Sequence, residues 1–219
     1  MTACRTFKTV SLALAIAVGL VAHAKTSHAQ NLETLTVAGG CFWCVEADFE
    51  KVAGVKDAVS GFAGGTTENP TYKQVTGGNT GHYEAVQITF DPAQVEVETL
   101  LSLFFRSIDP TDDGGQFCDR GDSYRTAIFA TPSQTDAARQ AKASAQAELG
   151  QTVVTPVLQS GPFYPADSYH QDFYKDGGII LTRFGPKSKA KAYKAYRESC
   201  GRDARVKALW GPDAPFVGG

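Results

Sequence analysis

The chain has 219 residues, 42% of them hydrophobic and 20% charged, with a formal net charge of −2 at neutral pH. That is enough chain to bury a sizeable core in one domain, and the scattered charges form no basic stripe for nucleic acid or an anionic lipid surface. No internal repeat, low-complexity tract or interdomain linker divides it.

Residues 1–29 read as a secretory signal peptide. Arg5 and Lys8 make a basic start, residues 10–22 are apolar but short for a membrane span, and Ala22-His23-Ala24 and Ser27-His28-Ala29 offer cleavage after Ala24 or Ala29. Cys4 precedes these sites and suggests no lipid anchor; an uncleaved membrane anchor is the alternative. The expectation is an exported, periplasmic protein with no membrane attachment after cleavage, whose folded part is residues 30–219. Its thiols are then Cys41, Cys44, Cys118 and Cys200. Four thiols in an exported chain normally indicate structural disulfides, yet a domain of this size needs no staples and two of the four flank a reactive position, so redox chemistry ranks ahead of stapling.

A strand over 32–37 leads through Gly39-Gly40 and delivers Cys41 to the first turn of a helix. Phe42, Val45, Phe49 and Val52 recur at helical spacing, while Glu46, Asp48 and Glu50 occupy the early turns as a helix dipole prefers. Unpaired amide N–H groups there favour a thiolate, and lowering a thiol pKa by roughly one to two units raises the reactive fraction about tenfold at neutral pH. The alternative for Cys41 is a small buried hydrophobe. Against it stand Gly39 and Gly40, which permit close backbone approach to a ligand, and Phe42 with Trp43, which supply apolar pocket surface.

A second strand spans 55–63, and a Gly- and Thr-rich connection over 64–81, long enough to be functional, holds Tyr72. In the strand over 82–90, alternation sets Glu84 on one face with His82, Val86, Ile88 and Phe90. A carboxyl there either loses water, stays protonated and donates a proton, or lies at a wet strand end and makes a salt bridge. A helix over 97–108 follows, then a loop over 111–123 with Cys118, Asp119, Arg120 and Gly121. Next come a strand over 124–130, a helix over 132–149 stopped by Gly150, and a strand over 153–158 interrupted by Pro156. Residues 164–171 read as a surface loop entering a short helix. A helix near 187–198 has a lysine-rich solvated face, and Cys200-Gly201 sits in a mobile tail. Strands and helices without regular alternation or a phosphate-binding glycine fingerprint fit an α+β or irregular α/β fold.

Four blocks, in order across the mature chain, resemble the signatures of the peptide methionine sulfoxide reductase A family: Gly40-Cys41-Phe42-Trp43, Gly81-His82-Tyr83-Glu84, Asp119-Arg120-Gly121 with Tyr124-Arg125, and Tyr169-His170-Gln171. The resemblance implies an α+β fold (an α/β roll), a compact mixed sheet flanked by helices in a single domain with an extended C-terminal tail. It implies that Cys41 attacks the sulfoxide sulfur, Glu84 protonates the oxygen, Tyr72 and Tyr124 hold that oxygen, and Asp119 supports the network. Phe42 and Trp43 would receive the methyl group. The product sulfenic acid condenses with a second thiol to a disulfide. The implied substrates are the S-sulfoxides of methionine in oxidised proteins or peptides and as the free amino acid. The implied enzyme is a monomer with no metal or prosthetic cofactor, recycled by an external thiol reductant of the thioredoxin type. Position 44, often Gly in the family, is Cys44, and Cys118 stands where Asn is frequent. Cys200, Cys118 and Cys44 are all candidate resolving cysteines. Many relatives use a tail cysteine, which favours Cys200, and a Cys41–Cys44 bridge would strain the helix start.

Three other readings compete. Cys41-Phe42-Trp43-Cys44 after a strand suits a thioredoxin-like disulfide oxidoreductase. Cys41, Cys44, His82 and His170 could form a zinc site, without a second cysteine pair or helical histidine pair to support it. The last is a binding module stapled by disulfides.

Overall fold

The computed structural model describes residues 31–218; the expected signal peptide and its cleavage sites lie outside them. The first half runs β1 (Glu33–Gly39), α1 (Phe42–Phe49), β2 (Val55–Ala63), α2 (Tyr72–Thr76), β3 (Tyr83–Phe90) and α3 (Val97–Phe105). Then come β4 (Gly115–Gln116), β5 (Asp119–Arg120), a 3-10 turn (Asp122–Tyr124), β6 (Thr126–Ala130) and α4 (Thr135–Leu149). The chain closes with β7 (Val157–Gln159), β8 (Phe163–Pro165), β9 (Ile179–Thr182), β10 (Gly185–Ser188), α5 (Lys189–Ser199) and α6 (Arg202–Trp210).

Six strands form a mixed sheet in the order β7-β6-β1-β3-β2-β8, antiparallel except for β6 and β7. Alternation sorts the side chains. Leu35 and Val37 of β1 with Val86, Ile88 and Phe90 of β3 face the main core, where Val45, Phe49, Leu100, Leu101 and Phe104 cover them. Ala38, Ala63, Ala85, Ala127 and Phe129 form a thinner layer on the other face. Pro156 has no N–H, so the expected strand over 153–158 pairs only from Val157, and the Pro156 carbonyl accepts the Ile128 N–H at 3.0 Å.

The two glycines before Cys41 serve packing, which corrects the expectation of ligand approach. A Cβ on Gly39 would lie 2.9 Å from Val45 Cγ2 and 3.0 Å from Ile108 Cγ2. Gly40 has φ +80°, and a Cβ there would come within 2.5 Å of Gln116 Cβ.

The connection over 64–81 is not devoid of structure: Thr71 and Gln74 form a reciprocal capping box that starts α2 at Tyr72. Nor is 164–171 a free loop. Gln171 Nε2 donates to the carbonyls of Ser60 (2.8 Å) and Ala166 (2.9 Å), and its Oε1 accepts the Ser60 N–H at 3.1 Å. The lysine-rich face of α5 is only partly solvated: Lys191 and Lys194 are exposed, but Lys189 is buried against Asp176 at 2.7 Å. The tail expected to be mobile is held down on both sides of Gly201. Before it, buried Arg197 pairs with Asp48 and Asp203, each at 2.9 Å. After it, buried Arg202 donates to the carbonyls of Gly39 (3.3 Å) and Ser107 (2.9 Å). Gly201, at φ +69°, is the corner between α5 and α6.

Candidate active site

Cys41 is the N-cap residue of α1, half-buried in the wall of a cavity of about 260 Å³. Four pieces of chain bring the other side chains singled out in the sequence to it, and the segments around 169–181 and 193–202 complete the wall. The turn into α1 places Phe42 and Trp43, α2 places Tyr72 at its first residue, β3 contributes Glu84, and the β5–β6 region contributes Asp119 and Tyr124. All seven side chains singled out in the sequence therefore line one cavity. Cys44 and Cys200 line it as well, while Cys118 stands outside, exposed and joined to Cys200.

Glu84 decides between its two sequence readings by burial. It is 1% exposed, and no cation pairs with it among the described residues. Oε2 accepts the Phe42 N–H at 3.0 Å, and Oε1 is buried with no hydrogen bond of normal geometry, although the Tyr124 hydroxyl lies beside the carboxyl. Loss of water pushes the Glu84 pKa up to about 8, against the Phe42 N–H that favours the anion, and the charges of Asp119 and Cys44 add to the rise. The carboxyl is thus protonated at neutral pH. Burial, then the nearby Glu84 charge, raises both Tyr72 and Tyr124 above the usual phenol range, so both remain neutral hydrogen-bond donors. Burial also raises Asp119, with Arg202 and Arg183 opposing.

Cys41 departs from expectation. The amide next to it in the helix start, the Phe42 N–H, is taken by Glu84 at 3.0 Å and not by the thiol. Contact with the Cys44 thiol, then burial, then the charges of Cys44, Glu84 and Asp119 hold the Cys41 pKa well above its usual value. The anion of the pair is drawn to Cys44, which accepts the hydrogen bond from Cys41 and faces the guanidinium groups of Arg202 and Arg197, with burial opposing. The acidic residues of α1 correct the expectation too, because none occupies the first turn. Asp48 is buried on Arg197, and Glu46 is buried with its carboxylate accepting from Ser60 Oγ and, at 2.5 Å, from the Asp172 N–H. They tie α1 to the C-terminal half of the chain.

Sequence reasoning gave His170 no role beyond its motif and the zinc alternative. Its ring lies 4.2 Å from that of Tyr72, 5.3 Å from Phe42 and 5.7 Å from Trp43, and burial lowers its pKa, so it is a neutral plate backing three cavity walls. Phe173 stacks on Trp43 at 3.7 Å. No local pattern announces these contacts, which join residues about a hundred or more positions apart. The zinc alternative loses His82, whose Nδ1 accepts the Gly65 N–H at 3.1 Å and whose Nε2 donates to the Thr67 carbonyl at 2.8 Å. That histidine holds the loop before α2.

Residues 33–204 match the family model described as peptide methionine sulfoxide reductase. The chain is 46% identical over 203 residues to peptide methionine sulfoxide reductase MsrA 2 of Caulobacter vibrioides, an alignment covering 92% of this chain and 97% of the relative. It is 43% identical over 189 residues to peptide methionine sulfoxide reductase MsrA of Bacillus licheniformis, covering 84% and 96%. Among solved structures it resembles methionine sulfoxide reductase A of Corynebacterium diphtheriae, with TM-score 0.59, 34% identity and coverage of 65% of this chain and 73% of that one. It also resembles reduced Mxr1 of Saccharomyces cerevisiae, with TM-score 0.61, 30% identity and coverage of 64% and 82%. With the family model spanning residues 33–204, relatives aligned over 84–92% of the chain, and a thiol facing a protonated carboxyl in one cavity, the protein belongs to the peptide methionine sulfoxide reductase A family and reduces methionine (S)-S-oxide to methionine.

Proposed function

We propose that Cys41 is the nucleophile and Glu84 the acid of this reaction, and the observation that carries the assignment is the buried, protonated carboxyl bonded to the amide next to Cys41. The substrate methyl group lies against Phe42 and Trp43, and its oxygen takes hydrogen bonds from Tyr72, Tyr124 and Glu84. Asp119 shapes the field around them. As Cys41 attacks the sulfur, an S–S bond forms, the Cys41 proton passes to Cys44, and Glu84 delivers a proton to the oxygen. The hydroxyl then passes from the substrate sulfur to Cys41 as the S–O bond and the new S–S bond break, so methionine leaves with two electrons gained and Cys41, oxidised by two electrons, is left as a sulfenic acid.

Cys44 then condenses with that sulfenic acid, forming the Cys41–Cys44 disulfide and releasing water. This revises the preference for Cys200. Cys118 and Cys200 are already joined, with Cα atoms 4.9 Å apart, whereas Cys44 touches Cys41. The electrons enter from an external dithiol protein of the thioredoxin type. It reduces the Cys118–Cys200 bridge at exposed Cys118; Cys200, in the cavity wall, then exchanges with the Cys41–Cys44 disulfide, which restores both active thiols and re-forms Cys118–Cys200. No prosthetic group enters these steps. Export of the mature chain to the periplasm is supported by the basic and apolar pattern of residues 1–29. Fractionation tests it: full-length chain recovered in membranes overturns it.

The roles are tested by turnover of the two sulfoxide epimers with dithiothreitol. Wild type is expected to reduce the S epimer alone and Cys41→Ser neither. Retained turnover in Cys41→Ser removes Cys41 as nucleophile.

A further inference from the structure

Among the described residues, few large apolar side chains stand in water, and most of those that do gather at the mouth of the catalytic cavity. Ile179 is 73% exposed and Leu181 is 84% exposed, both on β9, and Tyr169 and Phe184 nearby are also exposed. Leu181 and Tyr169 line the cavity itself.

The β9–β10 ribbon is firmly seated, so this exposure is not a loose end. Ile180 points inward and packs against the cluster around Cys44 and Phe173. Arg183 lies 4.8 Å from the Phe184 ring and 5.3 Å from the Tyr196 ring, and its Nη2 donates to Ser199 Oγ at 2.6 Å, which fastens the ribbon to α5. With Ile180 turned in, strand alternation obliges Ile179 and Leu181 to share the outward face. Nothing among the described residues covers that face.

The reaction identifies what does. When the sulfoxide is part of a polypeptide, its side chain fills the cavity and the neighbouring residues must cross the rim. Successive residues of an extended chain advance about 3.3–3.6 Å, so those one or two positions from the sulfoxide pass over Leu181 and then Ile179. We propose that the outward face of β9, Ile179 and Leu181, is a docking surface for an extended peptide segment carrying apolar side chains beside the oxidised methionine. This rests on the assignment of the cavity as the catalytic site. It sets a preference among peptide substrates: sulfoxides flanked by apolar residues ahead of those flanked by polar ones.

The test compares three substrates with dithiothreitol as reductant: free methionine S-sulfoxide, a short peptide with leucine on both sides of the sulfoxide, and the same peptide with serine there. Wild type is expected to show a kcat/KM about tenfold higher for the leucine-flanked peptide than for the serine-flanked one, through KM. Ile179→Ser is expected to abolish most of that preference while turning over free methionine sulfoxide as wild type does, which also shows that it is folded; Leu181→Ser extends the loss. Equal values for the two peptides in wild type, or a preference undiminished in Ile179→Ser/Leu181→Ser, overturn the proposal. So does either of two other outcomes: a substitution that weakens only turnover driven by a thioredoxin-type protein, which makes the face a reductant site, or one that dissociates a wild-type dimer. Loss of free methionine sulfoxide turnover in wild type would instead sink the catalytic assignment.

Discussion

Replacing Glu84 by glutamine tests the mechanism and the electrostatics together. Glutamine keeps the shape and an oxygen for the Phe42 N–H, but it cannot give up a proton. At its ordinary value of 4.5 the carboxyl would be protonated in only about one molecule in 300 at pH 7, whereas at about 8 roughly nine in ten are, so burial raises the competent fraction roughly 300-fold. The expected loss in the single-turnover rate is about a hundred- to ten-thousand-fold with substrate affinity kept. The wild-type rate should fall as pH rises through about 8, and that descending limb should vanish in Glu84→Gln. Stability carries a second signature. Because the folded pKa lies above the unfolded one, the protonated carboxyl's contribution is complete below about 4.5 and is lost as pH rises through about 8. The loss is at most about 5 kcal/mol, so Glu84→Gln should gain on wild type in urea midpoint across that window. A single-turnover rate within tenfold of wild type, or parallel stability profiles for the two proteins from pH 5 to 9, would refute the reasoning.

Peptide mapping after one equivalent of sulfoxide should find Cys41 joined to Cys44, with Cys118–Cys200 intact; a dominant Cys41–Cys200 bridge contradicts the proposed order of exchange. Arg202→Met should strip the carbonyls of Gly39 and Ser107 of their donor, costing about 1–3 kcal/mol in urea unfolding, and should move alkylation of Cys44 to higher pH. An unmoved alkylation profile would leave Arg202 a purely structural role.

Much of this protein was legible locally. Helical spacing after Gly40 announced α1, strict alternation announced β3 and set Glu84 on one face with Val86, Ile88 and Phe90, and Gly150 marked the end of α4. The motif blocks carried the family and six of the seven cavity residues, all but Tyr72, because each block keeps its chemistry within a few neighbouring positions. Tertiary structure decided what depends on distance in space. A short turn of helix capped by Thr71 presents Tyr72, a contact no periodicity reveals. The protonation of the cysteine pair follows from the contact between Cys41 and Cys44, from burial and from Arg202 and Arg197, not from the helix start alone.

The chain alone therefore offered the candidate groups: Cys41, Phe42 and Trp43 lie side by side, and the motif blocks pointed to Glu84, Asp119 and Tyr124 through their resemblance to the family. Only the fold decided which cysteine meets which, which carboxyl keeps its proton and which face of β9 stands in water. Those properties are set by burial and by contacts between segments as far apart as Cys118 and Cys200, 82 positions distant, and electrostatic energies follow separation in space and loss of solvent, neither of which is written in sequence order.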